Sequence, residues 1–203
     1  MSTQAPPATP ITATGTRPRN TDGQVIAITV FSTIKLTGRF FLPVLFLVTR
    51  KVPKLTGTLR QLSFIHFARW CVIGKLPYNG PPQKKGRFRY PHMYFESNFN
   101  GGWEEYIDAF SHILTRGMKL FWGSSYGFPN PLPTGRFKDY IRRHEIVASH
   151  FYSAYPDATT TIVLSSLELD AKLRDFRART ESMDPEAFAR AWQAFLTDAQ
   201  RCL

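Results

Sequence analysis

The stretch that decides how the front of this chain folds is Val25-Ile26-Ala27-Ile28-Thr29-Val30-Phe31-Ser32-Thr33-Ile34-Lys35-Leu36-Thr37-Gly38-Arg39-Phe40-Phe41-Leu42-Pro43-Val44-Leu45-Phe46-Leu47-Val48-Thr49-Arg50-Lys51. At the helical period Ile26, Ala27, Val30, Phe31, Ile34, Phe41 and Leu42 share one face, and Thr29, Ser32, Thr33, Lys35 and Arg39 share the other. Thr21 and Asp22 are candidate caps, and Thr21-x-x-Gln24 has capping-box spacing. The pattern predicts an amphipathic helix over residues 21–42, ended by Pro43 and followed by the short apolar run Val44 to Val48.

Hydropathy decides whether such a segment spans a membrane. From Val25 to Val48 there are fifteen Val, Ile, Leu or Phe residues. On an insertion scale they favour the bilayer by roughly 4.5–9 kcal/mol, against about 2.5–3.5 kcal/mol each for Lys35 and Arg39. Gly38, Pro43 and four Ser/Thr remove most of the remainder. The sum is near zero, which argues against a committed span. Lying in the interface fits better: apolar side chains sink among acyl chains while cations meet anionic headgroups, each contributing about 1 kcal/mol. The expected membrane-binding set is Ile26, Val30, Phe31, Ile34, Lys35, Arg39, Phe41, Leu42, Phe46, Arg50, Lys51 and Lys54. Two other uses of the same face stay open, as cover for the protein's own core or as a homodimer interface.

The charge is one-sided. Residues 1–91 hold fourteen Lys/Arg and a single acid, Asp22, whereas residues 92–203 hold twelve Lys/Arg against fourteen Asp/Glu. The whole excess of +11 therefore belongs to the N-terminal part, and it calls for an anionic partner there. An anionic membrane surface, or a membrane protein partner, is the expectation, with nucleic acid the weaker alternative. Two cysteines, Cys71 and Cys202, make no disulfide framework and suit a reducing compartment. Together these place the protein peripherally on the cytoplasmic face of a membrane. Residues 1–20, rich in Pro, Thr and Ala, read as a disordered tail without a signal-peptide core. The expected division is tail 1–20, membrane-surface segment 21–55 and α+β domain 56–203.

Within that domain, Leu59 to Ile73 reads as a strand buried on both faces, and Phe88 to Phe99 as a second. Between them residues 74–87 form a Gly/Pro loop. Trp103, Tyr106, Ile107, Phe110, Ile113, Leu114 and Phe121 stripe one face of a helix. A short helix from Phe137 to His144, a third strand from Ile146 to Tyr155 and a helix opened by Pro156-Asp157 follow. The last helix starts at Asp184-Pro185, a cap with proline at the first helical position. The fold class is α+β, a small sheet with helices on one face, preceded by the basic amphipathic helix.

Phe95-Glu96-Ser97-Asn98-Phe99-Asn100-Gly101-Gly102-Trp103 and Phe151-Tyr152-Ser153-Ala154-Tyr155-Pro156 resemble segments of a group of uncharacterised proteins. More loosely, residues 60–180 are similar to ferredoxin-like α+β barrel domains, some of which bind haem. That resemblance implies a fold, and haem as a conceivable cofactor, rather than one activity.

Strand alternation gives the candidate chemistry. His66, His92, Glu96, His150 and Tyr152 would line one wall if the three strands aligned, as an acid–base, metal or haem site. The ordinary alternative is that each histidine is a packed or rim residue. The Glu96 to Gly102 stretch, opening a helix, is an anion-friendly corner, although Glu104 and Glu105 would repel an anion. Lys84, Lys85, Arg87 and Arg89, interleaved with Phe88 and Tyr90, form an anion-binding loop suited to phosphates, of lipid or of nucleic acid. No phosphate loop, nucleophile elbow or zinc-protease motif occurs.

Overall fold

A computed structural model describes residues 20–52, 57 and 62–202. Thr21–Asp22 (β1) and Val25–Thr33 (β2) are strands, followed by helix Leu36–Lys51 (α1). Ile65–Lys75 (β3) and Arg87–Asn100 (β4) form a long hairpin, and Trp103–Ile113 (α2), Thr115–Trp122 (α3) and Thr134–His144 (α4) come next. Thr160–Thr180 (α5) and Pro185–Ala199 (α6) complete the chain with a final 3-10 turn, Gln200–Cys202. The four strands pair antiparallel in the order β1-β2-β4-β3. The α+β class, with helices packed on a small antiparallel sheet, is as the sequence implied.

The helix expected over residues 21–42 is not formed. Val25–Thr33 is instead an inner strand, with nine residue pairs to β4. The reason is stereochemical: Val25, Ile26, Ile28, Thr29, Val30 and Thr33 are β-branched, stiff at χ1 and better packed on a pleated surface. Helix begins only at Leu36 and runs through Pro43, which is exposed and costs one backbone bond. A boundary at residue 55/56 would therefore cut through one hydrogen-bonded sheet.

Alternation along the strands gives the sheet two different faces. Ile28, Val30 and Ser32 of β2, Met93, Phe95, Ser97 and Phe99 of β4, and Trp70 and Val72 of β3 face the helices. Tyr106, Ile107 and Phe110 of α2, Trp122 of α3, and Phe137, Tyr140 and Ile141 of α4 complete that core. The other face carries Thr29, Glu96 and Arg69 in one row and Phe31, Tyr94 and Cys71 in the next. Residues 146–155 are not a strand. The segment follows the outer edge of β2, making an isolated bridge from Glu145 to Val30 and a hydrogen bond from Ile146 N to Thr29 O. The helix after it starts at Thr160, where the Thr159 hydroxyl accepts from Ile162 N, rather than at Pro156-Asp157. The long helix expected from Trp103 is interrupted at Leu114, dividing α2 from α3. The Asp184 cap holds as expected, its carboxylate accepting from Glu186 N and Ala187 N.

Candidate functional site

Helix α1 lies on the helical side of the sheet with Gly38, Leu42 and Leu45 turned inward and buried. Gly38 permits the approach, since a Cβ there would fall 2.6 Å from Ser124 Oγ. The outward side is unusual. Leu36, Phe40, Phe41, Val44, Leu47 and Val48 are all exposed, Phe40 to 75%. At 3.6 residues per turn these six and Pro43 cover an arc of roughly 160°, where a surface helix normally carries polar residues. Only Thr37 and Lys51 interrupt it.

Cations sit at both ends of this stripe: Lys35 and Arg39 at the start, Arg50 and Lys51 in the last turn. The Arg39 guanidinium is 6.0 Å from the Phe40 ring. Among the described residues none of the four is in an ion pair; the paired cations are Arg69, Lys138, Arg142, Lys172, Arg174, Arg179 and Arg190. Beside α1, Phe121 stacks on Phe46 at 5.8 Å, and α3 adds exposed Leu120 and Lys119.

Several residues expected at a membrane are placed elsewhere. Val30, Ile34 and Leu42 are sealed in the core, and Ile26 is half-buried on the core side of β2. Phe31 stacks on His92 at 4.7 Å on the opposite sheet face, and Phe46 is half-buried against Phe121. Phe41, Lys35, Arg39, Arg50 and Lys51 do lie on or beside the exposed stripe, while Lys54 falls outside the described residues. The helical wheel drawn over 21–42 missed Leu36, Phe40, Val44, Leu47 and Val48. For all but Leu36 the signal was the apolar run Phe40 to Val48 between the cations at 39 and 50.

The histidine wall does not assemble. His92 and Glu96 share the outward face of β4 with Tyr94, whose hydroxyl donates to Glu96 Oε2 at 2.7 Å. His66 sits at an irregularity of β3 between the paired residues Ile65 and Phe67. His150 and Tyr152 are exposed in the segment whose Ser153 N donates to Asp22 of β1. β1 and β3 are opposite edges of the sheet, three strand spacings or about 14 Å apart. Among the described residues no three His, Cys, Asp or Glu lie close enough to hold a metal ion.

The corner at Asn100-Gly101-Gly102 is occupied by the protein itself. Asn100 Nδ2 donates to Gln24 O at 2.8 Å and its Oδ1 accepts from Thr160 N at 2.9 Å, while the Glu105 carboxylate packs against Gly102. Those groups tie α2 and α5 to the sheet. A cleft of about 500 Å³ opens nearby between Asn20, Trp103, Arg142 and Glu145. Glu145 accepts from Trp103 Nε1 at 3.1 Å and Asn20 Nδ2 at 3.4 Å, and the Arg142 guanidinium lies 4.6 Å from the Trp103 ring. Burial pushes the Glu145 carboxyl up, against the opposing effect of its two donors. A raised carboxyl pKa favours folding below the unfolded value of 4.5 and weakens it as pH climbs toward the folded value. Glu145→Gln is therefore expected to raise the melting temperature at neutral pH but not below 4.5, checked by calorimetry at both.

Compared with protein families, with curated proteins and with solved structures, the chain matches none. Among the described residues no helix is long and apolar enough to cross a membrane. Function must be argued from the surface alone.

Proposed function

We propose that this protein is a peripheral membrane protein that rests on an anionic bilayer through α1, as a binding or accessory module. The observation that carries this reading is the apolar outer side of a short helix flanked by cations that make no ion pair among the described residues. A patch of that kind on a folded domain marks an interaction surface. The combination with Lys35, Arg39, Arg50 and Lys51 favours a lipid boundary, where acyl chains take the stripe and headgroup phosphates take the cations. The cytoplasmic leaflet, which carries the anionic lipids, is the matching side.

Phe40→Asp combined with Leu47→Asp tests it, because both residues point away from the core and the fold should survive. Co-sedimentation with phosphatidylcholine/phosphatidylserine vesicles is expected to fall by roughly 100-fold or more, with the melting temperature retained. Undiminished sedimentation of the double variant would remove the basis for the assignment.

A further inference from the structure

Resting on that reading, we infer that the tip of the β3–β4 hairpin is a second membrane contact, a headgroup clamp specific for anionic lipid. The tip lies at the same end of the molecule as the start of α1. The last β2–β4 pair is Thr33 with His92, and Ile34 N donates to Pro91 O immediately before α1 begins. From Pro91 back to Arg87 β4 continues to its last ladder pair, Arg87 with Lys75, which closes the hairpin.

Between the pairs Ile73 with His92 and Lys75 with Arg87 the β4 strand carries three extra residues, a bulge that brings Phe88 back against His92 with ring centroids 4.9 Å apart. Arg87 and Arg89 are both exposed. Lys84 and Lys85 in the turn are exposed as well, with Leu76, Tyr78 and Tyr90 as exposed apolar and aromatic neighbours. This is the pairing of cations with interfacial aromatics seen along the outer side of α1, repeated on a second element.

The turn is built to hold its shape. Gln83 Nε2 donates to Pro77 O at 2.8 Å, Asn79 N donates to Gln83 Oε1 at 2.9 Å, and Leu76 N donates to Gly86 O at 3.2 Å. The Lys85 ammonium rests 5.3 Å from the Tyr78 ring and the Arg89 guanidinium 5.5 Å from that of Tyr90. None of Lys84, Lys85, Arg87 and Arg89 has an acidic neighbour in sequence, since no Asp or Glu occurs between Asp22 and Glu96. A tip without acids, at the end of the sheet where α1 starts, complements an anionic bilayer that also takes the apolar stripe better than it complements a free polyanion. A polynucleotide would use the charge and leave the stripe in water.

The experiment uses the full chain with Lys84, Lys85, Arg87 and Arg89 all changed to Gln, beside Phe40→Asp/Leu47→Asp. Binding to phosphatidylcholine/phosphatidylserine vesicles is expected to drop by two to three orders of magnitude, at about fivefold per lost cation, with a flatter salt dependence. Binding to phosphatidylcholine vesicles should be the same for the Gln variant and the unaltered chain. If the Gln variant binds the anionic vesicles as the unaltered chain does, the clamp is refuted while attachment through α1 stands. If the Asp variant binds undiminished, the α1 reading itself fails. Tight, salt-steep binding of polyuridylate that the four Gln changes abolish, with vesicle binding untouched, would reassign the tip to nucleic acid and overturn the inference.

Discussion

A chain that starts at residue 56 is expected not to fold. The deletion looks harmless from composition, because it removes a basic, Thr-rich front end and leaves the aromatic core sequence intact. The sheet says otherwise. β2 is flanked by β1 and β4, and removing it strips nine residue pairs from one side of β4. It also removes Ile28, Val30, Ile34, Leu42 and Leu45 from the buried core. At roughly 1.5–3 kcal/mol for each buried aliphatic side chain, the loss is about 8–15 kcal/mol. That equals the whole stability of an ordinary domain, about 5–15 kcal/mol. Residues 56–203 alone should therefore give no cooperative thermal transition by circular dichroism and no dispersed amide spectrum. A sharp melt from that fragment would show that the β2–β4 register is not the one that holds the molecule together. The consequence for the proposed function is direct: the helix proposed to meet lipid cannot be shed as a module, so binding must be tested with point variants.

The part of the fold legible in sequence was the part with a single periodicity. The β3–β4 hairpin, the stripe from Trp103 to Phe110 and the Asp184-Pro185 start each carry one local signal that tertiary packing does not oppose. Residues 25–34 carry two. Ile26, Val30, Phe31 and Ile34 fit a helical face, while Ile26, Ile28, Val30, Ser32 and Ile34 alternate as a strand. The β-branched content decides between them, and packing against β4 enforces it. Pro43 misled in the opposite direction, since a proline on the open side of α1 sacrifices one bond without ending the helix. The segment at 146–155 has strand-like composition, but both sides of the long β4 were already paired, and the segment meets only the part of β2's outer edge that β1 leaves open. As for the site, the cations and the apolar run were visible, yet which residues face outward depended on where α1 begins. The histidine wall failed for a related reason: it needed residues 146–155 as a strand aligned with β3 and β4, and they run instead along β2 on the other side of the sheet.

Trp122→Ala is expected to be the most damaging single substitution, and it probes how α1 is seated. Trp122 is 1% exposed and meets Phe95 edge-on with ring centroids 4.9 Å apart. It also meets Trp70 at 6.1 Å, and Trp70 stacks on Phe121 at 5.5 Å. Phe121 in turn carries Phe46 of α1, so one chain of rings runs from the sheet to the helix proposed to meet lipid. Truncating a buried tryptophan costs about 3–5 kcal/mol in transfer and cavity terms, which in a domain of this size lowers the melting temperature by roughly 6–20 °C. Trp122→Phe separates packing from polarity. The Trp122 Nε1 is buried without a hydrogen-bond partner, so the smaller ring sheds an unpaired donor while keeping most of the contact. It should cost less than half as much as the alanine change in urea unfolding, with the same denaturant slope. Equal losses for the two would mean that a phenyl ring keeps none of the contact and that the ring chain as described does not seat α3 and α1 against the sheet.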